Sequence, residues 1–129
     1  YNDTYGHQRG DECLKLFART LVSYCRRGGD LPARVGGEEF AVLLPHTEHA
    51  AALRLADLAR AAFDALEVEH TGSKLKPNVT ASFGVATSIP THLDAGEALV
   101  RAADQALYLA KSRGRNLVAS AVEVESLAN

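Results

Sequence analysis

The chain has 129 residues, of which 47% are apolar and 23% are charged. This composition is typical of a single globular domain and excludes disordered and collagen-like proteins. Its formal charge is −2, which gives no support to binding of nucleic acid or of an anionic membrane surface. No apolar stretch is long enough to span a bilayer. Cys13 and Cys25 lie too far apart on one predicted helix for a disulfide, so we expect free thiols in a reducing cytosol.

The first predicted element is a helix that begins near Asp11, whose side chain is a candidate N-cap. Apolar residues from Leu14 to Cys25 recur with the helical period, which is typical of a helix with one buried face. Arg26 and Arg27 would lie in its last turn, where cations interact favourably with the helix dipole. Two glycines after them predict the end of the helix.

A β-hairpin is predicted next, with its turn at Gly36 and Gly37. The two glycines separate short apolar runs at 33–35 and 40–44. Glycine adopts positive φ without a steric penalty, and the central residues of a two-residue hairpin turn often need it. Pro45 ends the second strand. The segment therefore predicts two antiparallel strands joined by a tight turn.

The second half of the sequence predicts two more helices and two more strands. Thr47 is a candidate cap for a helix that reaches Leu66. Alternating apolar and polar residues at 79–86 predict a half-buried strand. A helix that stops at Gly114 follows, and Leu117 begins a final edge strand.

This order of elements predicts an α+β fold, with a mostly antiparallel central sheet flanked by helices. The predicted domain covers residues 1–119, and no repeat or low-complexity linker divides it. Residues 120–129 are expected to form a weakly specified C-terminal tail.

The most informative pentad is Gly36-Gly37-Glu38-Glu39-Phe40. The glycines leave the backbone open to a bulky ligand, and two carboxylates follow at once. Neighbouring strand residues point to opposite faces, so only one of the two carboxylates would face such a ligand. One carboxylate suits Mg²⁺, which takes its other oxygen ligands from phosphates and water. The alternative interpretation is a charged hairpin rim without a ligand.

Two further pairs of residues have groups that suit a nucleotide. Asn2 and Asp11 offer an amide and a carboxylate that match the hydrogen-bonding edge of guanine, although turn formation and helix capping are the alternatives. Lys111 and Arg115 flank the end of the last predicted helix and suit a triphosphate. Favourable placement of cations at a helix C-terminus is the alternative there.

Three motifs occur in order along the chain, at residues 2–11, in the pentad, and at residues 103–116. Together they closely resemble the GGDEF family of bacterial diguanylate cyclases, with Glu38 in place of the aspartate that names the family. The strand at 79–86 fits the family too, and the resemblance covers nearly all of residues 1–119. It implies an α/β sandwich like the ferredoxin-like palm of nucleotidyl cyclases and polymerases.

The resemblance also implies an activity, in which two GTP condense into cyclic di-GMP and two pyrophosphates with Mg²⁺, or alternatively Mn²⁺, as the cofactor. The implied roles are guanine binding by Asn2 and Asp11, metal binding by Glu38, help to the attacking 3′-hydroxyl by Glu39, and phosphate contact by Gly36, Gly37, Lys111 and Arg115. Because each half-site would hold one GTP, this nucleotidyl transfer requires a homodimer with a two-fold axis.

A fourth match is regulatory. Arg27-Gly28-Gly29-Asp30 resembles the Arg-x-x-Asp product-inhibition site of the family, and Arg60 matches its accessory arginine. Arginine can donate two hydrogen bonds to guanine, and aspartate can accept from its donor edge. The alternative is a cation at a helix end followed by a turn aspartate.

The resemblance starts part-way into the family's domain, which normally begins with a helix, a central strand carrying a second metal-binding Asp, and a Lys just before the Asn. These are not in the 129 residues. We therefore expect a longer, cytoplasmic or membrane-tethered parent with an N-terminal sensory or regulatory domain, and weak or no catalysis by this chain alone. The domain itself is expected to contact neither nucleic acid nor membrane. The alternative function is an inactive module that senses cyclic di-GMP or GTP.

Overall fold

The computed structural model of the protein describes residues 7–68, 78–90 and 95–128. These ranges contain helices together with short strands, including an antiparallel hairpin, which confirms the predicted α+β class. In chain order the elements are α1 (His7–Tyr24), β1 (Leu31–Gly36), β2 (Glu39–Leu43), α2 (His49–Ala65), β3 (Phe83–Val85), α3 (Ala95–Ser112), β4 (Val118–Ser120) and α4 (Ala121–Ala128).

The chain divides into two compact units, which are described separately. The first unit contains Tyr1–Thr47 and Ala61–Val79, and the second contains Glu48–Arg60 and Thr80–Asn129. Among the described residues, no helix is both long enough and apolar enough to cross a membrane.

Helix α1 of the first unit differs from its prediction at both ends. It begins at His7, so Asp11 lies inside the helix with an exposed side chain. The prediction that Asp11 caps the helix is therefore wrong, because an N-cap precedes the first helical residue. The helix ends at Tyr24, so Arg26 and Arg27 follow it and do not lie in its last turn.

The predicted hairpin is confirmed, with its turn one position later than expected. Strands β1 and β2 pair antiparallel, and the last pair is Gly36 with Glu39, so Gly37 and Glu38 form the turn. The shift arises because the register changes between Arg34 and Gly36, which places an extra residue in β1. Gly37 has a φ of 52°, which explains the need for glycine there.

Three aromatic rings anchor the hairpin in the core of the first unit. Phe17 of α1 makes edge-to-face contacts with Phe40 of β2 and with Phe63 of α2, each with ring centroids 5.1 Å apart. Phe63 is buried. Leu21 is buried too, and it lies on the face of α1 that the apolar residues of the sequence predict to be buried. Phe40 directly follows the two glutamates, so its packing fixes the base of the hairpin tip.

The second unit packs through small side chains. Strands β3 and β4 pair in parallel, with α3 as the connection between them. The expectation of a mostly antiparallel sheet did not anticipate this pair, which is parallel because a helical crossover returns the chain in the same direction. A Cβ on Gly84 of β3 would overlap the backbone of Ala103 and Leu107, so α3 lies directly against the strand.

Residues 121–128 form helix α4, although a weakly specified tail was expected from residue 120 onward. Ser120 begins this helix with a capping box. Its hydroxyl accepts a hydrogen bond from the Val122 amide at 3.1 Å, and its own amide donates to Glu123 Oε2 at 2.7 Å. Thr47, by contrast, does not cap α2, because its hydroxyl donates to the Pro45 carbonyl and α2 begins only at His49.

Candidate functional site

The hairpin tip of the first unit is open. Glu38 and Glu39 are both exposed, one in the turn and the other as the first residue of β2. A Cβ added to Gly36 or Gly37 would meet no described heavy atom within 4 Å. Protein sterics therefore do not demand a glycine at position 36, and the bare backbone there is free for a ligand to approach.

Arg34 holds the shape of this tip. Its guanidinium donates two hydrogen bonds to the Gly37 carbonyl, from Nε at 3.0 Å and from Nη2 at 2.7 Å. The charged donor group fixes the carbonyl that precedes Glu38. Arg34 is not among the residues predicted from the sequence, although a cation two positions before a glycine pair at a hairpin turn is a usable signal.

The tip lies near the early part of α1. Burial raises the pKa of the Cys13 thiol above its ordinary value, and the negative charge of Glu38 raises it further. The charge of Glu38 therefore acts on the Cys13 thiol within the screening range of the solvent. Glu38 and Asp11 both belong to the first unit, where the Asp11 side chain is exposed on α1. Asn2, the other predicted guanine ligand, lies outside the described residues.

Glu38 offers a metal one carboxylate, so most of the metal's other ligands would come from a substrate and from water. Within the described ranges, no three His, Cys, Asp or Glu side chains come together as a ready-made metal site. Mg²⁺ commonly binds through one or two carboxylates, with phosphates and water as its other ligands. An exposed glutamate beside an open glycine backbone suits that arrangement.

Lys111 and Arg115 of the second unit lie around the end of α3, and both are exposed. Gly114, with a φ of 117°, ends the helix in a Schellman motif. Its amide donates to the Lys111 carbonyl at 3.4 Å, and the Arg115 amide donates to the Ala110 carbonyl at 3.1 Å. The predicted stop at Gly114 therefore has a specific hydrogen-bonding basis.

Asn116 connects this helix end to two distant parts of the second unit. Its amide N–H donates to Ser82 Oγ at 3.2 Å, and its Oδ1 accepts from Arg60 Nη1 at 3.0 Å. Arg60 also donates from Nε to Asp57 at 2.9 Å. Asn116 is not among the site residues predicted from the sequence, because no local pattern indicates its contacts.

Arg27 and Asp30 of the predicted inhibitory motif lie on one turn of the first unit. The Arg27 amide donates to Asp30 Oδ2 at 3.2 Å, and the Asp30 amide donates to the Arg27 carbonyl at 3.0 Å. The exposed Arg27 guanidinium reaches the His46 carbonyl at 2.9 Å. Oδ1 of Asp30 is buried and has no hydrogen-bond partner among the described residues. Arg60 of the same predicted site belongs to the second unit.

A family model described as "Diguanylate cyclase, GGDEF domain" matches residues 1–117. The chain belongs to the GGDEF family. Curated relatives of this GGDEF domain include diguanylate cyclase A of Treponema denticola, 42% identical over 117 residues, which are 91% of this chain and 30% of that protein. The response regulator PleD of Caulobacter vibrioides is 44% identical over 117 residues, 91% of this chain and 25% of its own length.

Solved GGDEF domains share the fold. The GGDEF domain of DgcB from Caulobacter crescentus, in complex with c-di-GMP, superimposes with a TM-score of 0.79 at 29% identity, covering 93% of this chain and 69% of that chain. The active GGEEF domain of a diguanylate cyclase from Vibrio cholerae superimposes with a TM-score of 0.74 at 33% identity, covering 92% and 72% of the two chains. This GGDEF domain spans 25 to 30% of the two curated relatives named above.

Proposed function

We propose that the full-length protein is a diguanylate cyclase, which converts two GTP into one cyclic di-GMP and two pyrophosphates. The single observation that supports this proposal is the open glycine turn, which presents the exposed carboxylate of Glu38 beside a backbone that a ligand can approach. The Vibrio cholerae domain described as active has its pentad spelled GGEEF, as residues 36–40 are here. A glutamate at the third position is therefore compatible with the activity.

The proposed chemistry leaves both reacting groups to the substrates. The 3′-oxygen of each GTP forms a bond to the α-phosphorus of the other, and the bond from that phosphorus to the bridging oxygen breaks. Pyrophosphate leaves with the electron pair, and the proton of the 3′-hydroxyl is lost. The protein contributes mainly by aligning the two nucleotides and neutralising their charge.

Each protein group has a place in this scheme. Asp11, with Asn2, would accept hydrogen bonds from guanine, and Glu39 would assist loss of the 3′-hydroxyl proton. The backbone at Gly36 and Gly37, with Lys111 and Arg115, would contact the phosphates. Glu38 would hold Mg²⁺, or Mn²⁺ in its place, which supplies further neutralisation of the phosphate charge when bound.

The scheme requires two copies of the domain, because each nucleotide supplies the nucleophile that attacks the other. The proposed catalyst is therefore a homodimer with two-fold symmetry. One relative is named a response regulator, and the GGDEF domain spans only 25% of its length. That supports a parent protein in which an N-terminal sensory or regulatory domain controls a cytoplasmic GGDEF domain.

The test is the variant Glu38→Ala in the full-length protein, with GTP turnover followed by chromatography of cyclic di-GMP. We expect product formation to fall by at least about 100-fold, because the metal and its charge neutralisation are lost. Glu125→Ala removes an exposed glutamate of α4 and is the matched control. Undiminished product from Glu38→Ala would exclude the metal role. A wild-type protein that binds cyclic di-GMP but makes none would favour the inactive sensor.

A regulatory site is the second proposal. It is favoured by the Oδ1 atom of Asp30, which has no hydrogen-bond partner in the described part of the chain. A buried carboxylate oxygen without a donor is costly, so a ligand that brings an N–H to it would be favoured. Guanine of cyclic di-GMP has such donors, and the nearby Arg27 guanidinium suits its opposite edge. Calorimetry should show that Arg27→Ala loses high-affinity cyclic di-GMP binding and that Arg26→Ala keeps it. Equal affinities for both variants would refute the assignment.

A further inference from the structure

The loop after α3 has three consecutive residues with positive φ, in the second unit. The values are 117° for Gly114, 66° for Arg115 and 51° for Asn116. Glycine adopts this conformation freely and asparagine tolerates it, but arginine has no such preference. Backbone of this kind persists only where its surroundings hold it in place.

Local hydrogen bonds account for the first half of the loop only. The Schellman motif joins the amides of Gly114 and Arg115 to carbonyls of the last helical turn. These two bonds hold the chain up to the Arg115 amide. They do not reach the peptide on the other side of Arg115, which is where Asn116 begins.

Long-range contacts hold the second half. Ser82 Oγ accepts from the Asn116 amide at 3.2 Å, and the Arg60 guanidinium donates to the Asn116 side chain at 3.0 Å. The Arg60 side chain is only 20% exposed, and its Nε is bound to Asp57 at 2.9 Å. A guanidinium held at one nitrogen and largely shielded from water is a rigid donor for the amide oxygen of Asn116.

We infer that Arg60 is a positioning residue, which holds Asn116 and thereby keeps Arg115 in the backbone shape from which it contacts the phosphates of GTP. The inference rests on the proposed function, because it requires Arg115 to meet a triphosphate. It gives Arg60 a role in substrate binding that is separate from the inhibitory role implied by the family resemblance.

The first test is Arg60→Ala in the full-length protein, with initial rates measured over a range of GTP concentrations. We expect KM for GTP to rise about tenfold while kcat changes by less than about twofold. A phosphate contact made equally in the bound and transition states raises KM alone when it is lost. A general loss of folding would lower the apparent kcat, because a smaller fraction of the protein is active, and would leave KM unchanged.

Asn116→Gly is the partner variant, because it deletes the acceptor and still permits the left-handed backbone. We expect a similar rise in KM, and the double variant Arg60→Ala/Asn116→Gly should be no worse than either single one. Arg54→Ala removes an exposed arginine of the same helix and should match the wild type. Arg60→Lys keeps the charge but has no fork to bridge Asp57 and Asn116, so its KM should lie in between.

Inhibition by product is removed from these assays with a phosphodiesterase that degrades cyclic di-GMP. A rise in KM that is seen without the phosphodiesterase and disappears when it is added would overturn the inference and leave Arg60 with the inhibitory role only. An unchanged KM in Arg60→Ala, or additive effects in the double variant, would also overturn it. If Arg60→Ala does not fold, a normal KM for Asn116→Gly decides against the inference.

The proposed function is checked separately in the wild type. Calorimetry with a GTP analogue that cannot be cleaved between the α- and β-phosphates measures substrate binding without turnover. A wild-type protein that neither binds the analogue nor makes cyclic di-GMP would refute the proposed function and the inference with it. Normal wild-type turnover with an unaffected Arg60→Ala variant would refute the inference alone.

Discussion

The hairpin tip and the loop at 114–116 both present charged side chains from backbone that includes positive φ, but different contacts hold them. At the tip, Arg34 binds the carbonyl of Gly37, three positions away. In the loop, Asn116 is bound by Ser82, which is 34 positions away, and by Arg60, which is 56 positions away. The turn is built from its own sequence neighbours, whereas the loop depends on the packing of the second unit.

The two regions are therefore sensitive to different kinds of substitution. A turn closed by local hydrogen bonds keeps its shape as long as its own residues are intact. A loop held by distant partners changes when the elements carrying those partners move. Three predictions test this contrast.

The largest effect is expected for Gly84→Ala in β3. The new Cβ would overlap backbone atoms of α3, which cannot move aside as a side chain can. We expect a destabilisation at or above the upper end of the ~1–3 kcal/mol typical of overpacking, measured by urea denaturation of the full-length protein. Ser82, which binds the Asn116 amide, directly precedes β3. A displaced strand should therefore raise KM for GTP as well.

Gly96→Ala is the matched control, because its Cβ would meet no described atom within 4 Å. It lies in the first turns of α3 and should leave stability unchanged or raise it by up to about 1 kcal/mol. Equal stabilities for the two alanine variants would contradict the close contact between β3 and α3.

Arg34→Ala should have an intermediate effect that stays within the hairpin. It deletes both hydrogen bonds to the Gly37 carbonyl, and we expect a loss of about 0.5–1.5 kcal/mol. Product formation should fall by more than the loss of folded protein explains, because the carbonyl next to Glu38 is no longer fixed. Urea denaturation and GTP turnover measure the two effects. Arg19→Ala, an exposed arginine of α1, should change neither.

The smallest effect concerns the thiol pKa values of the first unit. Glu38→Gln removes a negative charge near Cys13, so the pKa of that thiol should fall and its alkylation at a given alkaline pH should become faster. The pKa of Cys25 is raised by burial and then by Asp30, so Asp30→Asn should lower it. Each variant should leave the other thiol unchanged. Mass spectrometry of alkylated peptides over a pH series reports both thiols at once. Identical alkylation profiles for Cys13 in Glu38→Gln and wild type would show that the charge of Glu38 does not act on this thiol.

Two predicted features differ from the structure because helix boundaries lie elsewhere than expected. Asp11 was weighed as a cap because aspartate is common there, but α1 continues upstream of it and leaves its side chain exposed. The spacing of Ser120 and Glu123 is typical of a capping box and indicates helix α4, where the sequence analysis predicts a tail. Both residue types are common helix caps, and whether such a residue caps a helix depends on where the helix begins.

The sequence by itself determined the family, the α+β class, the hairpin at the glycine pair and the helix stop at Gly114, because these follow from local backbone preferences and from motifs in order. Three features came from the tertiary structure alone: the parallel pairing of β3 with β4, the effect of the Glu38 charge on Cys13, and the contact between Arg60 and Asn116. Those features join residues far apart in the chain, and no local preference specifies which distant partners will meet.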